Sequence, residues 1–269
     1  MPLGSILVTI NVDEFAESRV KVAAELAARF GATLTGVCAC AIQPIVTDAM
    51  ALGIAGVVED RSDIEAQLQT AQEKFRALAE PIAKPLEWRS AIDFPAEYAA
   101  LQARTADLVV TGPSRGSGPY REVDPADLIM LAGRPVLIVP TNVSHLAADR
   151  ITIAWKDTRE ARRAVLDSLP LCERATEVTV AAVAEESESE ASPTDDVVRY
   201  LRSHKINANS FHAKADGSTG TTILALAKDV SADLIVAGAY GHSRLREWIF
   251  GGVTRELLTK SPVCCLMSN

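Results

Sequence analysis

The chain is written twice. The stretch "TADLVVTGPSRG" at residues 105–116 returns as "SADLIVAGAYGH" at 231–242, and "GRPVLIVP" at 133–140 returns as "KSPVCCLM" at 260–267. The starts agree as well, "SILVTINVDEFAESRVKVA" matching "RITIAWKDTREARRAVLDS". A repeat of roughly 125 residues is domain-sized, so the pattern is a duplicated domain and not a solenoid. The seam falls in "PTNVSHLAADR" at 140–150, which places the two units at 1–145 and 146–269.

Each unit alternates short apolar runs with helical periodicity. In the first, strands are expected at 6–10, 33–42, 86–92, 107–111 and 135–140. Helices fall at 20–30, stopped by Gly31, at 62–82, capped by Ser62 or Asp63, and at 95–104, opened by Pro95. In the second, strands are expected at 151–155, 177–184, 209–213, 234–237 and 263–267, and helices near 159–172, 194–203, 221–230 and 252–260. Residues 40–60 read as an apolar, loop-like insert, and "EESESEASPTDD" at 185–196 as a solvated acidic loop. Apolar strands alternating with helices imply an α/β fold, a parallel sheet covered on both faces.

Composition removes several function classes. Apolar residues make up 48% of the chain, enough for a substantial core, and the formal net charge of −8 argues against a broad nucleic-acid face. No run reaches the roughly 18–20 apolar residues of a membrane span. The N-terminus "MPLGSILVTINVDE" lacks the charged start and apolar core of a secretory signal, so a cytoplasmic location is expected, with neither membrane nor nucleic acid as partner. The five cysteines, Cys38, Cys40, Cys172, Cys264 and Cys265, form no C-x-x-C pair and read as buried apolar residues.

The segment "GAYGHSRLREWIFGGVTRELL" at 238–258 sets four glycines between the fourth strand of the second unit and the next helix. Parallel sheets bind ligands beyond the carboxyl ends of their strands, where strand order reverses, and helix N-termini attract anions. Gly238 and Gly241 would let backbone pass close to a bound group and adopt positive φ. Gly251 and Gly252 would present bare N–H groups, with the Thr254 hydroxyl and the donors His242, Arg244 and Arg246 nearby. The pattern is not G-x-x-x-x-G-K-[ST], and "IAWKDTREA" does not supply G-x-G-x-x-G after the first strand.

The spacing G-x2-G-x9-G-[ST] after a fourth strand resembles the ATP-binding signature of the universal stress protein family, and the duplicated plan extends the likeness over nearly the whole chain. The chain is similar to a tandem universal stress protein. The resemblance implies two five-stranded, Rossmann-like parallel sheets of order 3-2-1-4-5, joined through their last strands as a pseudo-dimer; a further homodimer is left open. It implies a stress-response protein holding ATP or a related adenine nucleotide, with or without Mg, in the second unit. Gly238, Gly241, Gly251, Gly252, Val253 and Thr254 would line the phosphates, with His242 beside them. Ala154, Trp155, Lys156 and Asp157 would lie near base and ribose, and Val183 would touch the base. Two departures stand out: the family usually has Ser or Thr at Gly252, and Asp-Gly-Ser where this chain has Lys156-Asp157-Thr158.

No catalytic constellation or metal-ligand set accompanies these residues, since His204, His212 and His242 are scattered. Binding without appreciable turnover is the leading expectation. A slow Mg-dependent ATPase, with Asp157 positioning water, and a nucleotide-free interaction scaffold are the alternatives. In the first unit, "GPSRGSGPYREVDPADLIML" keeps Gly112 but sets Asp124-Pro125 opposite Gly251-Gly252. A carboxylate and a residue without N–H suit a helix cap and first helical position, so this unit is expected to be nucleotide-free.

Overall fold

The apolar runs assemble into one ten-stranded sheet in the computed structural model, which describes residues 3–13, 17–43, 61–184, 193–240 and 252–269. The first unit runs β1 (Ser5–Ile10), α1 (Glu17–Phe30), β2 (Thr33–Ala39), α2 (Arg61–Ala79), β3 (Leu86–Ala91), α3 (Pro95–Gln102), β4 (Leu108–Thr111), α4 (Pro125–Ala132) and β5 (Val136–Ile138). The second runs β6 (Arg150–Trp155), α5 (Arg159–Cys172), β7 (Glu177–Ala184), α6 (Asp195–Ser203), β8 (Ala208–Lys214), α7 (Thr219–Asp229), β9 (Leu234–Gly238), α8 (Gly252–Lys260) and β10 (Cys264–Ser268).

Strand order is β3-β2-β1-β4-β5-β10-β9-β6-β7-β8, so each unit has the order 3-2-1-4-5 and the two meet at their fifth strands. Pairing is parallel within each unit. It is antiparallel at the junction, where Val136 faces Met267, Leu137 faces Leu266 and Ile138 faces Cys265. Central strands are buried on both faces, which is why β4 and β10 carry almost no polar residue. Helices α1, α2, α5 and α6 cover one face around Phe75, Leu26 and Ile64. Helices α3, α4, α7 and α8 cover the other around Leu128, Ile129 and Leu257.

The repeated "ADL" has a physical reason. The Asp107 carboxylate accepts from the Gly4 and Ser5 N–H groups at 2.8 and 3.0 Å, and Asp233 accepts from Asp149 and Arg150 at 3.0 and 3.2 Å. In each unit this aspartate ties the start of the first strand to the start of the fourth. The segment between the units is packed, with Leu146 and Ala148 buried. The Arg29 guanidinium donates to the Leu146 and Ala147 carbonyls at 2.5 and 2.6 Å, and Arg174 lies 4.3 Å over the Phe30 ring.

The second strand ends at Ala39 rather than 42, and the fifth shrinks to three residues. Asp195 and Asp196 belong to the first turn of α6, where carboxylates oppose the positive end of the helix dipole. The rest of the acidic run, 185–192, and most of the apolar insert, 44–60, lie outside the described residues. All five thiols are free and buried. Burial pushes Cys38, Cys264 and Cys265 up to about 12 and Cys172 to about 11, so the thiolate form is disfavoured. Among the described residues no helix is long and apolar enough to cross a membrane.

Leu137 and Leu266 are both fully buried and belong to different units. Leu137→Ala is expected to lower stability by roughly 2–5 kcal/mol in urea unfolding. Because β5 and β10 shield each other's edges, residues 1–145 and 146–269 expressed separately should aggregate or reassociate. Two stable, soluble monomers would refute the dependence of each unit on the other.

Candidate functional site

At the carboxyl ends of the second unit's strands lies a cleft between β6, β7 and β9 and the starts of α5, α7 and α8. The strand order makes it: β6 and β9 are neighbours, yet their following helices lie on opposite faces, so the chain parts there. Ala154 and Ala237 are paired across the floor. Val183, at the end of β7, forms a side wall, and Trp155 and Lys156 lie at the end of β6. Gly238 and the α8 start, Gly252, Val253 and Thr254, complete the lining. Eight of the twelve residues expected at the site thus converge. Gly241, His242 and Gly251 lie outside the described residues.

Asp157 is placed elsewhere. Its carboxylate accepts from the Arg162 guanidinium at 2.7 and 3.0 Å, and it lines an apolar groove with Leu166 and Tyr200 beside α6. Trp155 is buried, and its indole N–H donates to the Pro193 carbonyl at 2.9 Å, so this side chain is committed to the α6 side.

The two described glycines of the loop serve different purposes. A Cβ on Gly238 would lie 2.4 Å from the Ala161 nitrogen and 2.7 Å from the Glu160 carbonyl carbon. Gly238 is not among the glycines at positive φ, which corrects one expectation for it. Its bare backbone admits the start of α5 against β9. A Cβ on Gly252 meets no atom within 4 Å. The missing hydroxyl at this position is therefore not imposed by packing.

Several lining residues were not among those expected to touch a ligand. Thr158 caps α5, its hydroxyl accepting from the Ala161 N–H at 3.2 Å. A Thr followed by a helical pattern was the available signal. Tyr240 lines the cleft at φ 64°, a conformation that costs a non-glycine residue about 1–3 kcal/mol. Burial raises its phenol well above the ordinary range, helped by Asp124 and Asp127 of the first unit. Thr219 and Ile223 come from the start of α7, and nothing local in sequence marks them.

A clamp holds α7 to α8. Ser218 caps α7, accepting from the Thr221 N–H at 3.1 Å, and its hydroxyl donates to Glu256 at 2.5 Å, while Lys260 donates to the same carboxylate at 3.0 Å. A Cβ at Gly220 would sit 2.2 Å from that carboxylate, so a larger residue there would push the Glu256 side chain out of the clamp.

In the first unit, the position of Ala154 and Ala237 is taken by Thr9 and Thr111, whose hydroxyls hydrogen-bond to each other at 2.9 Å. Asp124 caps α4 as expected, accepting from the Ala126 N–H at 2.7 Å ahead of Pro125.

A model of the universal stress protein family matches residues 147–268. The second unit is a universal stress protein domain. Over the whole chain, a universal stress protein from Archaeoglobus fulgidus DSM 4304 superposes with a TM-score of 0.72 at 14% identity, covering 98% of this chain and 96% of that one. A putative universal stress protein from Pseudomonas aeruginosa UCBPP-PA14 gives 0.56 at 15%, covering 99% and 93%. Both likenesses concern the fold, and they extend it to the first unit. A universal stress protein from Archaeoglobus fulgidus in complex with dAMP is 17% identical over 51% of this chain and 98% of that chain, with a TM-score of 0.38. No curated protein is a significant match.

Two tests follow from the packing of this universal stress protein domain. Gly238→Ala should displace the start of α5 and cost roughly 1–3 kcal/mol, whereas Gly252→Ala should stay within about 0.5 kcal/mol of the parent; urea unfolding compares them. The hydrogen bond from Ser218, then that from Lys260, holds the Glu256 carboxyl below its ordinary value of 4.5. The clamp therefore stabilises fully above 4.5 and is lost as pH falls through the lowered folded value. Between about pH 6 and pH 3, the melting temperature of the parent should fall further than that of Glu256→Gln.

Proposed function

We propose that the chain is a stress-response protein that binds one adenine nucleotide, ATP or a relative, in its second unit without appreciable turnover. The observation that carries this reading is the composition of the cleft. An apolar alanine floor and Val183 offer a surface for a flat, apolar base. The start of α8 opens into the same cleft with unobstructed space at Gly252. Helix N–H groups there would meet phosphate oxygens, and the helix dipole favours the negative charge. Thr254, on the same turn and lining the cleft, would supply a hydroxyl. Lys156, at the mouth, would act as a point charge on phosphate. Mg, where present, would be carried in by the phosphates.

Hydrolysis would require a group that positions water in the cleft. Asp157, the residue that role would fall to, is turned to Arg162 in a different groove. Binding is thus the reading that the arrangement favours. Gly251, on sequence grounds, would bring its backbone nearest the phosphates.

Isothermal titration with ATP, ADP and AMP should give one site per chain, and mass spectrometry of freshly purified, denatured protein should show whether a nucleotide travels with it. ATP at ~100 times its dissociation constant should stabilise the fold by roughly 2.7 kcal/mol. Gly251→Asp would set a carboxylate at the phosphates. Like charges at ~4 Å cost about 4 kcal/mol at an effective dielectric near 20, and half of that already exceeds a tenfold loss of affinity. Gly252→Ser should tighten binding severalfold, since a net hydrogen bond contributes about 0.5–1.5 kcal/mol. Asp124→Ala should leave affinity unchanged. Two sites per chain, or loss of binding in the Asp124 variant with retention in Gly251→Asp, would overturn the assignment to the second unit.

A further inference from the structure

In the first unit, the backbone amides after β4 already surround an anion. Glu122 is 4% exposed, and one of its oxygens accepts from the Ser114 hydroxyl at 2.9 Å, the Gly116 N–H at 2.8 Å and the Ser117 N–H at 3.1 Å. The Arg115 N–H lies 3.2 Å from both oxygens. Three successive backbone N–H groups aimed at one acceptor form a concave nest of the kind that holds phosphates. Gly116, at φ +85°, turns the backbone around the carboxylate.

The preceding residue ties the same loop to other elements. Arg121 donates to Asp13 from Nε at 3.0 Å, pairs with the same carboxylate through Nη2, and donates to Gln67 at 2.8 Å. Its Nη1 lies 3.1 Å from the Cys40 sulfur. Asp13 follows β1 and Cys40 follows β2, so Arg121 lies beyond the ends of these two strands, on the α2 side of the sheet. One dipeptide therefore joins the loop after β4 to the ends of β1 and β2. Beside Gly112 and Arg19 the remaining space is about 10 Å³, no more than one water occupies.

We propose that Arg121-Glu122 is a built-in ligand of the first unit. Glu122 takes the place of a phosphate-class anion in a nest that is latent only because its own chain fills it. The inference is independent of nucleotide binding in the second unit, because its readouts are amides of the first.

The test is a titration of full-length Glu122→Ala with inorganic phosphate, followed through the amide resonances of Arg115, Gly116 and Ser117. These signals should shift saturably in the variant and stay fixed in the parent, and phosphate should recover part of the melting temperature that the variant loses. Amides that ignore phosphate in a folded variant would overturn the proposal, reducing the loop to a turn built around a structural carboxylate. Should Glu122→Ala fail to fold, amide exchange decides. Gly116 and Ser117 should be protected in the parent, although their residues lie on the surface, and should lose that protection in Glu122→Gln. Unprotected amides in the parent, or equal rates in the two proteins, would overturn it as well.

Discussion

The antiparallel pairing of β5 with β10 is the constraint from which the rest of the architecture follows. A parallel five-stranded sheet of order 3-2-1-4-5 ends on its fifth strand, an apolar edge with unpaired N–H and C=O groups. Joining two such edges closes both in one interface, which explains how β5 can be three residues long and still fully buried. Because the junction is antiparallel, the carboxyl ends of the two units' strands point in opposite directions. The unit boundary also reaches α5: Arg163 donates to the Gly133 carbonyl of the first unit at 2.8 Å. The helix whose start approaches Gly238 is thereby braced by the first unit.

Duplication relaxed the demand that both clefts do the same thing. The two floors occupy the same sheet positions but carry Ala154 and Ala237 in one unit and the hydrogen-bonded Thr9 and Thr111 in the other. The alanines leave an apolar surface that a ligand can cover. The threonine pair satisfies itself and offers less reason for a base to settle there. At the helix start the contrast repeats: the α8 start bears a glycine facing open space, whereas α4 begins with a capping carboxylate and a proline.

Much of this was legible in the sequence because its cause is local or periodic. Alternating apolar runs set the strands, and the repeated Asp-Leu placed the units in register. Asp124-Pro125 read as a helix start because capping is decided within four residues. The site residues legible from the glycine loop converge for the same reason that ligand sites in such sheets do, at the strand ends beside the order reversal. What escaped was set by long-range packing. Gly238 reads like a ligand-facing glycine, and only the approach of α5 shows that it answers to Ala161. Asp157 reads like a site carboxylate until its pairing with Arg162, one helical turn on, turns it away. Glu122 was overlooked although it stands two residues from Asp124, because nothing in the pattern "YREVDP" says that its carboxylate will fold back under residues 114–117.

That fold-back supplies the loop after β4 with its acceptor. A loop crossing the top of a parallel sheet presents several N–H groups in one direction, and these need an acceptor whether or not a ligand exists. The first unit answers from within the chain, through a carboxylate already anchored by the valine and helix cap that follow it. The second unit has the glycine-rich segment 238–252 in the same topological place, without a Glu at the corresponding spacing ahead of its helix. The same sheet positions therefore carry a filled amide nest in one unit and a helix start with a glycine facing open space in the other.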